Sequence, residues 1–135
     1  MSWRNIETLR RCLARFQARD EERLLELMHP EVDLVPAIAV IEPDEPSHNH
    51  YHGHDGVHRW LADIEQLSDY RVEFDQFTRA EEDVLVTGRV FFEPDDGEGH
   101  VYDIYYLFQF RDGLVASLRT YKDEQEALEA AGLAG

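Results

Sequence analysis

The stretch from Gly99 to Tyr121, GHVYDIYYLFQFRDGLVASLRTY, decides the fold of this chain. It holds two runs of strand-forming residues separated by Arg111-Asp112-Gly113, a combination typical of a tight hairpin turn. In the first run the even positions are almost wholly apolar or aromatic and the odd positions are mixed. This alternation of period two predicts a strand with one buried face. The predicted inner wall consists of Tyr102, Ile104, Tyr106, Phe108 and Phe110.

The second run of the hairpin alternates in the same way. Parity assigns Leu114, Ala116, Leu118 and Thr120 to one face and the residues between them to the other. The hairpin then has an aromatic-rich concave side and a half-polar outer side. We expect the outer row to leave an exposed apolar band, which favours a homodimer across it. The band is predicted to contain Tyr105, Leu107, Val115, Arg119 and Tyr121.

Length and charge limit the classes of function. A chain of 135 residues is expected to form one domain spanning 1–135, with room for one core and one site. Asp and Glu number 29 against 13 Lys and Arg, which gives a formal net charge of −16. Such a chain repels phosphate backbones and anionic lipid surfaces, so nucleic acid and membranes are not expected as partners. Its single cysteine, Cys12, excludes an internal disulfide and a cysteine metal cluster.

The sequence contains no signal for a membrane or for a cofactor. No apolar run approaches the about 18 residues that cross a bilayer, and the N-terminal segment MSWRNIETLRR lacks the apolar centre of a signal peptide. We therefore expect a cytoplasmic protein. No glycine-rich phosphate loop is present, so no organic cofactor is expected.

The remaining elements follow from periodicity. Apolar spacings of three and four predict helices, alternation predicts strands, and short turns after Gln66 predict an antiparallel meander. The fold class is therefore α+β, with a curved antiparallel sheet covered by helices from the N-terminal half. Helices are expected over 4–18 and 55–66, with a short helix after the N-cap Asp20 and a terminal helix between Asp123 and Gly132. Strands are expected over 31–41, with an irregularity at Pro36, and over 70–75 and 84–92, followed by the hairpin.

Three local signatures accompany this order of elements. They are His29-Pro30-Glu31-Val32-Asp33 before the first strand, Tyr51-His52-Gly53-His54-Asp55-Gly56-Val57 with Trp60 at the third helix, and Phe110-Arg111-Asp112-Gly113 followed by Arg119-Thr120-Tyr121-Lys122-Asp123 and Glu126-Ala127-Leu128. Together they resemble the SnoaL-like branch of the nuclear transport factor 2-like superfamily. The resemblance implies a cone-shaped sheet closed by helices around a pocket. It implies no single activity, since the superfamily holds isomerases, dehydratases, cyclases, hydrolases and binding modules.

The catalytic positions of characterised relatives are not matched here. By resemblance, the oxyanion tyrosine, general-base aspartate and protonated aspartate of ketosteroid isomerases fall at Cys12, Val35 and Tyr106. The catalytic groups of limonene-epoxide hydrolases fall at Gly88, Val90 and Thr120, and Thr120 also replaces the acid of SnoaL-type cyclases. Because each borrowed mechanism loses its base, the resemblance assigns none to this chain.

Two residues are candidates for chemistry. Asp33 shares its strand face with Val35, the pocket-side position in the resemblance, so a buried carboxylate with a raised pKa is expected there as a general base. The alternative is a carboxylate at the rim, solvated or paired with an arginine. Tyr106 can donate a hydrogen bond to a ligand carbonyl or oxyanion, or it is core with a satisfied hydroxyl. The predicted ligand-binding residues are Cys12, Phe16, Val35, Tyr51, Trp60, Phe108, Leu118 and Thr120.

A run of histidines offers a second kind of site. His48, His50, His52 and His54 alternate, and His58 lies one helical turn beyond His54. Imidazoles at this spacing can hold zinc or nickel, with Asp55 or Glu45 as an oxygen ligand. A proline-rich acidic loop need not be extended, however, and short histidine tracts indicate metal binding by composition alone. No physiological metal is therefore assigned, and His50, His52, His54 and His58 stay weak candidates.

These observations leave three hypotheses for function. The first is a small-molecule-binding domain with an apolar pocket, with acid-base catalysis on a cyclic or polyketide-like substrate if it is an enzyme. The second is a non-catalytic dimeric module with an accessory or ligand-sensing role. The third is a metal-binding protein that uses the histidine loop.

Overall fold

The computed structural model describes residues 2–41, 50–66, 68–93 and 99–133. Of the predicted loop over 42–53, residues 42–49 with Glu45 and His48 lie outside these ranges, as do residues 94–98 of the predicted turn over 94–99. The end of the predicted loop is not irregular, because residues 51–53 form a short strand and the start of a helix. The helices within the described ranges are α1 (Ser2–Gln17), α2 (Glu21–Glu26), α3 (Ala37–Ile41), α4 (Gly53–Glu65) and α5 (Glu124–Ala131). The strands are β1 (Met28–Val35), β2 (Tyr51–His52), β3 (Ser68–Ala80), β4 (Asp83–Glu93), β5 (His100–Arg111) and β6 (Leu114–Tyr121).

The strands form one curved, unclosed sheet in the order β2-β1-β6-β5-β4-β3. Strands β3 to β6 pair as the antiparallel meander that the sequence predicts. The α+β class and the curved sheet under N-terminal helices are therefore confirmed. The sheet is not wholly antiparallel, however, because β1 lies parallel to β6. The hydrogen bond from the Val115 amide to the Leu27 carbonyl, 3.0 Å long, ties the start of β1 to β6.

The β5–β6 hairpin has the predicted position and inner wall. Asp112 and Gly113 form a two-residue loop with φ angles of 55° and 77°, which suits the right-handed twist of the flanking strands. Ile104, Tyr106 and Phe108 are buried in the main core, and Tyr102 and Phe110 pack against it. The even row of β5 is thus the inner face.

The parity prediction is wrong at the start of β6. Val115 was assigned to the outer row, but its side chain is fully buried in the main core. The register explains this change, because Gln109 pairs with Ser117 and Phe110 pairs with Val115. Ala116 is therefore an extra residue, and such a bulge returns the following residues to their original parity.

Helix α5 covers three members of the predicted exposed apolar band, Tyr105, Leu107 and Tyr121. Leu107, Leu85 and Ala127 form a second buried cluster, against which Tyr105, Tyr121, Leu128 and Ala131 pack. Asp123 caps α5 by accepting a hydrogen bond from the Gln125 amide, and Gly132 ends it in the left-handed conformation. The chain's own C-terminal helix thus covers most of the surface on which the homodimer prediction rested.

The first strand is shorter than predicted and faces the other way. It ends at Val35, and the segment after Pro36 forms the short helix α3 instead of continuing as a strand. Val32 and Leu34 are fully buried, whereas Asp33 and Val35 are only half-buried. Burial of the more apolar pair accounts for this orientation, since a shift of one residue exchanges the two faces of a strand.

Three helices cover the concave face of the sheet. Helix α1 lays Leu9, Cys12, Leu13 and Phe16 into the core, and α4 contributes Val57, Trp60, Leu61 and Ile64. The carboxylate of Asp20 accepts a hydrogen bond from the Arg23 amide and so caps α2 as predicted. Among the described residues, the structure contains no helix long and apolar enough to span a bilayer.

Candidate functional site

A narrow pocket lies between the helices and the concave face of the sheet. Helices α1 and α2 form one side, α4 contributes Trp60, and strands β3, β5 and β6 form the opposite wall. The described residues that line the pocket are Cys12, Leu13, Phe16, Leu24, Met28, Pro36, Ala37, Trp60, Tyr70, Val72, Phe74, Tyr106, Phe108 and Leu118. An almost wholly apolar wall of this kind suits an apolar ligand.

Two hydrogen-bond donors in this wall have no partner. The Tyr106 hydroxyl and the Trp60 indole Nε1 are buried, and neither is hydrogen-bonded to any described residue. Buried polar atoms are normally paired, because an unpaired donor costs roughly 1–3 kcal/mol. Both side chains belong to the pocket lining, so each is a candidate donor to an oxygen atom of a ligand.

The ionisable groups of the pocket are neutral near pH 7. Burial raises the pKa of Tyr106 well above its ordinary value, with a further contribution from Tyr70. Burial also raises the pKa of Tyr70, and it raises the pKa of the Cys12 thiol to about 12. The described lining contains no carboxylate, imidazole or amine. The described lining therefore contains hydrogen-bond donors and no side chain that could act as a general base near pH 7.

The free space inside the pocket is small. It amounts to about 30 Å³, which is room for one or two water molecules. Phe16 and Trp60 stack against each other in its lining, with ring centroids 4.9 Å apart and planes at 12°. A ligand ring would have to move one of these side chains, or the flexible Met28, in order to enter.

The predicted ligand-binding residues divide into two groups. Cys12, Phe16, Trp60, Phe108 and Leu118 line the pocket, as does Tyr106, which was predicted to have a catalytic role. Val35, Tyr51 and Thr120 do not line it. The Tyr51 hydroxyl donates a hydrogen bond of 2.7 Å to Asp63, and the Thr120 hydroxyl is buried without a partner beside the Tyr106 position on the next strand.

Asp33 lies outside the pocket, contrary to the prediction. One of its oxygens is 2.9 Å from His52 Nδ1 and 2.9 Å from His50 Nε2, and the Arg119 guanidinium is 3.8 Å from the other. The hydrogen bond to His52 is the main cause that holds the pKa of Asp33 below its ordinary value. The predicted buried base with a raised pKa is therefore wrong for this residue, which takes the arginine-paired alternative.

The histidines separate into three places. His50 and His52 share Asp33, and His52 Nε2 also lies 3.1 Å from Glu31. His54 approaches the backbone carbonyl of Met28, and His58 approaches Glu21. Among the described residues, no group of three or more His, Cys, Asp or Glu side chains is arranged to hold a metal. Of the four candidate ligands, His50 and His52 are brought together at Asp33, whereas His54 and His58 lie at other places.

Several lining residues were missed by sequence reasoning. Tyr70, Val72 and Phe74 were recognised as the buried row of a half-buried strand, but their place in the pocket depends on the strand order. Met28 and Pro36 enter the pocket because β1 joins the sheet beside β6. Alternation alone cannot reveal that neighbourhood, since it reports which face is buried and not which strands are adjacent.

Comparison with solved structures finds the same fold in several proteins. TerC, co-crystallised with polyporic acid, is 25% identical, with 96% of this chain and 98% of that chain covered and a TM-score of 0.75. An NTF2-like protein of unknown function from Burkholderia pseudomallei is 21% identical, with 96% and 97% covered and a TM-score of 0.75. RV0760c from Mycobacterium tuberculosis, in complex with estradiol-17beta-hemisuccinate, is 15% identical, with 90% and 95% covered and a TM-score of 0.69.

Sequence comparison supports the same relationship. Among curated proteins no sequence matches significantly. The model of the SnoaL-like domain matches residues 9–118, which include the second half of α1, all of α2, α3 and α4, and most of the sheet. By this match and by its fold, the chain belongs to the SnoaL-like domain family.

Proposed function

We propose that this chain binds a flat, mostly apolar small molecule that carries a hydrogen-bond-accepting oxygen, such as a ketone carbonyl. The observation that carries the proposal is the pair of unpartnered donors, Tyr106 hydroxyl and Trp60 Nε1, in an otherwise apolar pocket. An acceptor oxygen that reached one of these donors would remove the cost of an unpaired buried group. That gain is available only to a ligand with an oxygen at this depth.

The apolar wall provides the second part of the recognition. Phe16, Trp60, Phe74, Tyr106 and Phe108 present aromatic faces, and aromatic ligands stack favourably on such surfaces. TerC, which is 25% identical, was co-crystallised with polyporic acid, and this likeness also supports small-molecule binding. We infer a ligand whose rings displace one partner of the Phe16–Trp60 stack.

Binding is favoured over acid-base catalysis. A general base must reach the proton that it abstracts, and the described lining holds no carboxylate or imidazole. Asp33, the predicted base, faces the outer surface. The polyketide-like substrate and the dimeric accessory role stay predictions. The dimeric role has lost the exposed apolar band on the sheet that supported it.

A matched pair of ligands tests the proposal. 2-Acetylnaphthalene carries a ketone oxygen, and 2-ethylnaphthalene has the same rings without it. We expect tighter binding of the ketone by isothermal titration calorimetry. Tyr106→Phe should weaken ketone binding roughly 3- to 10-fold and leave the hydrocarbon unchanged. It should not destabilise the unliganded protein, because the hydroxyl that it removes is unpaired.

Thr120→Val is the matched control. It also removes a buried, unpartnered hydroxyl, but Thr120 does not line the pocket. Its thermal stability should move in the same direction as that of Tyr106→Phe, while its affinity for the ketone stays at the wild-type value. Equal affinity for both ligands in the wild type would contradict the proposal.

A further inference from the structure

A second, wider groove opens beside the pocket at the C-terminal end of α1. It is lined by Phe16, Gln17, Arg19, Tyr70, Arg71, Val72, Glu73 and Phe91. Its free space is about 350 Å³, against about 30 Å³ in the pocket. Phe16, Tyr70 and Val72 belong to both, so the groove and the pocket are two parts of one continuous depression.

Two guanidinium groups border the groove, each over an aromatic ring. Arg19 lies over the Phe16 ring at 4.7 Å, and its Nη1 donates a hydrogen bond of 2.7 Å to the Phe16 carbonyl. Arg71 lies over the Phe91 ring at 4.8 Å. Stacking on aromatic faces restricts both side chains, so little conformational entropy is lost when they bind an anion.

The groove and the pocket share the side chain of Tyr70, which lines both, and Tyr106 lines the pocket. A ligand that occupies both spaces would therefore meet Tyr106 in the pocket and a guanidinium in the groove.

Among the described lining residues of the groove, Glu73 is acidic. It lies on β3 next to Val72, and its carboxylate is 3.8 Å from the guanidinium of Arg89. The described lining thus brings two arginines to one groove of a chain whose formal net charge is −16.

We propose that the groove is an anion subsite, in which Arg19 and Arg71 hold a carboxylate of the ligand whose rings and ketone oxygen occupy the pocket. The inference rests on the proposed function and narrows its ligand class to aromatic or polycyclic keto acids. Arginine pairs with a carboxylate through two parallel hydrogen bonds, which adds geometric selection to charge. The overall negative charge of the protein disfavours anions elsewhere on its surface.

The test compares 2-acetylnaphthalene with 6-acetyl-2-naphthoate, which adds only a carboxylate to the same rings and ketone. We expect the keto acid to bind about tenfold more tightly at low ionic strength, and this advantage to shrink as salt is added. Arg71→Gln and Arg19→Gln should each remove most of the advantage. The loss should be confined to the keto acid, with melting temperatures recorded to confirm folding.

Arg111→Gln is the matched control, since it removes an exposed arginine at the hairpin turn, outside this groove. It should keep the full preference for the keto acid. If the ketone binds but the keto acid is not preferred, or if Arg111→Gln reduces the preference as much as Arg71→Gln, the anion subsite is wrong and the proposed function stands. If neither ligand binds, both are wrong.

Discussion

The Asp33 carboxylate lies outside the pocket and is held by hydrogen bonds to neighbouring side chains. It lies on the outward row of β1 and joins two histidines of the neighbouring β2 segment and Arg119 of β6. Its hydrogen bonds favour the ionised carboxylate, whereas a general base in an apolar pocket needs the opposite effect. We call the group of Asp33, Glu31, His50 and His52 the edge cluster.

The edge cluster predicts a pH dependence of stability. Hydrogen bonds to Asp33 and then Glu31 raise the pKa of His52 above 6.5, so its contribution is complete below pH 6.5 and is lost as pH rises through the higher folded value. The pKa of Asp33 is lowered from 3.8, so its contribution is present above that pH and is lost as pH falls through the lower folded value. The cluster should stabilise most between about pH 4 and pH 6.5.

Thermal unfolding of His52→Gln measures this effect. Between pH 5.5 and 8 the melting temperature of the wild type should fall more than that of the variant. The difference should be small, on the order of a few degrees, because the side chains of the cluster are exposed to solvent. His100→Gln, which removes a histidine from β5, should retain the wild-type slope. Parallel slopes for wild type and His52→Gln would contradict the role of the cluster.

The close contact between strands β3 and β4 depends on Gly88. It pairs with Phe74, and the register shifts between Phe74 and Gln76. A Cβ atom at position 88 would overlap the backbone carbonyl oxygen of Glu73. Only glycine allows this close approach of two backbones, which bends β3 at the level of the pocket residue Phe74.

Gly88→Ala should therefore destabilise the protein by about 2 kcal/mol or more, since backbone atoms must shift to admit the methyl group. Urea unfolding should show a lower midpoint. Gly99→Ala is the control, because a Cβ there meets no atom within 4 Å, and it should change stability by less than about 0.5 kcal/mol. Equal midpoints for the two variants would contradict the account of the bend.

The hairpin was predictable from sequence because alternation and the Asp112-Gly113 turn act locally. The two errors around it arise from interactions beyond that range. Val115 faces the core because of a bulge that inserts Ala116, and alternation assumes no such insertion. Three residues of the outer band are covered because α5 folds back on β5, a tertiary contact that a strand pattern does not contain.

At the scale of the whole molecule, the apolar character of the pocket lining was predictable from sequence, but the place of the pocket in the fold was not. The apolar stripes of α1 and α4 and the even row of β5 all reach it, since amphipathic faces must be buried together. The orientation of β1 followed the apolar pair Val32 and Leu34, so the simple rule of burying the more apolar row would have placed Asp33 outside. The unpartnered donors are visible only in three dimensions.

The most direct measurement follows the indole N–H proton of Trp60 by NMR during titration with 2-acetylnaphthalene. The chain has two tryptophans, so Trp60→Phe assigns the signal. We predict a downfield shift of the Trp60 signal with the ketone and none of comparable size with 2-ethylnaphthalene, because only the ketone oxygen can accept the bond. A Trp60 signal that stays in place at saturating ketone, or moves equally with both ligands, would contradict the account.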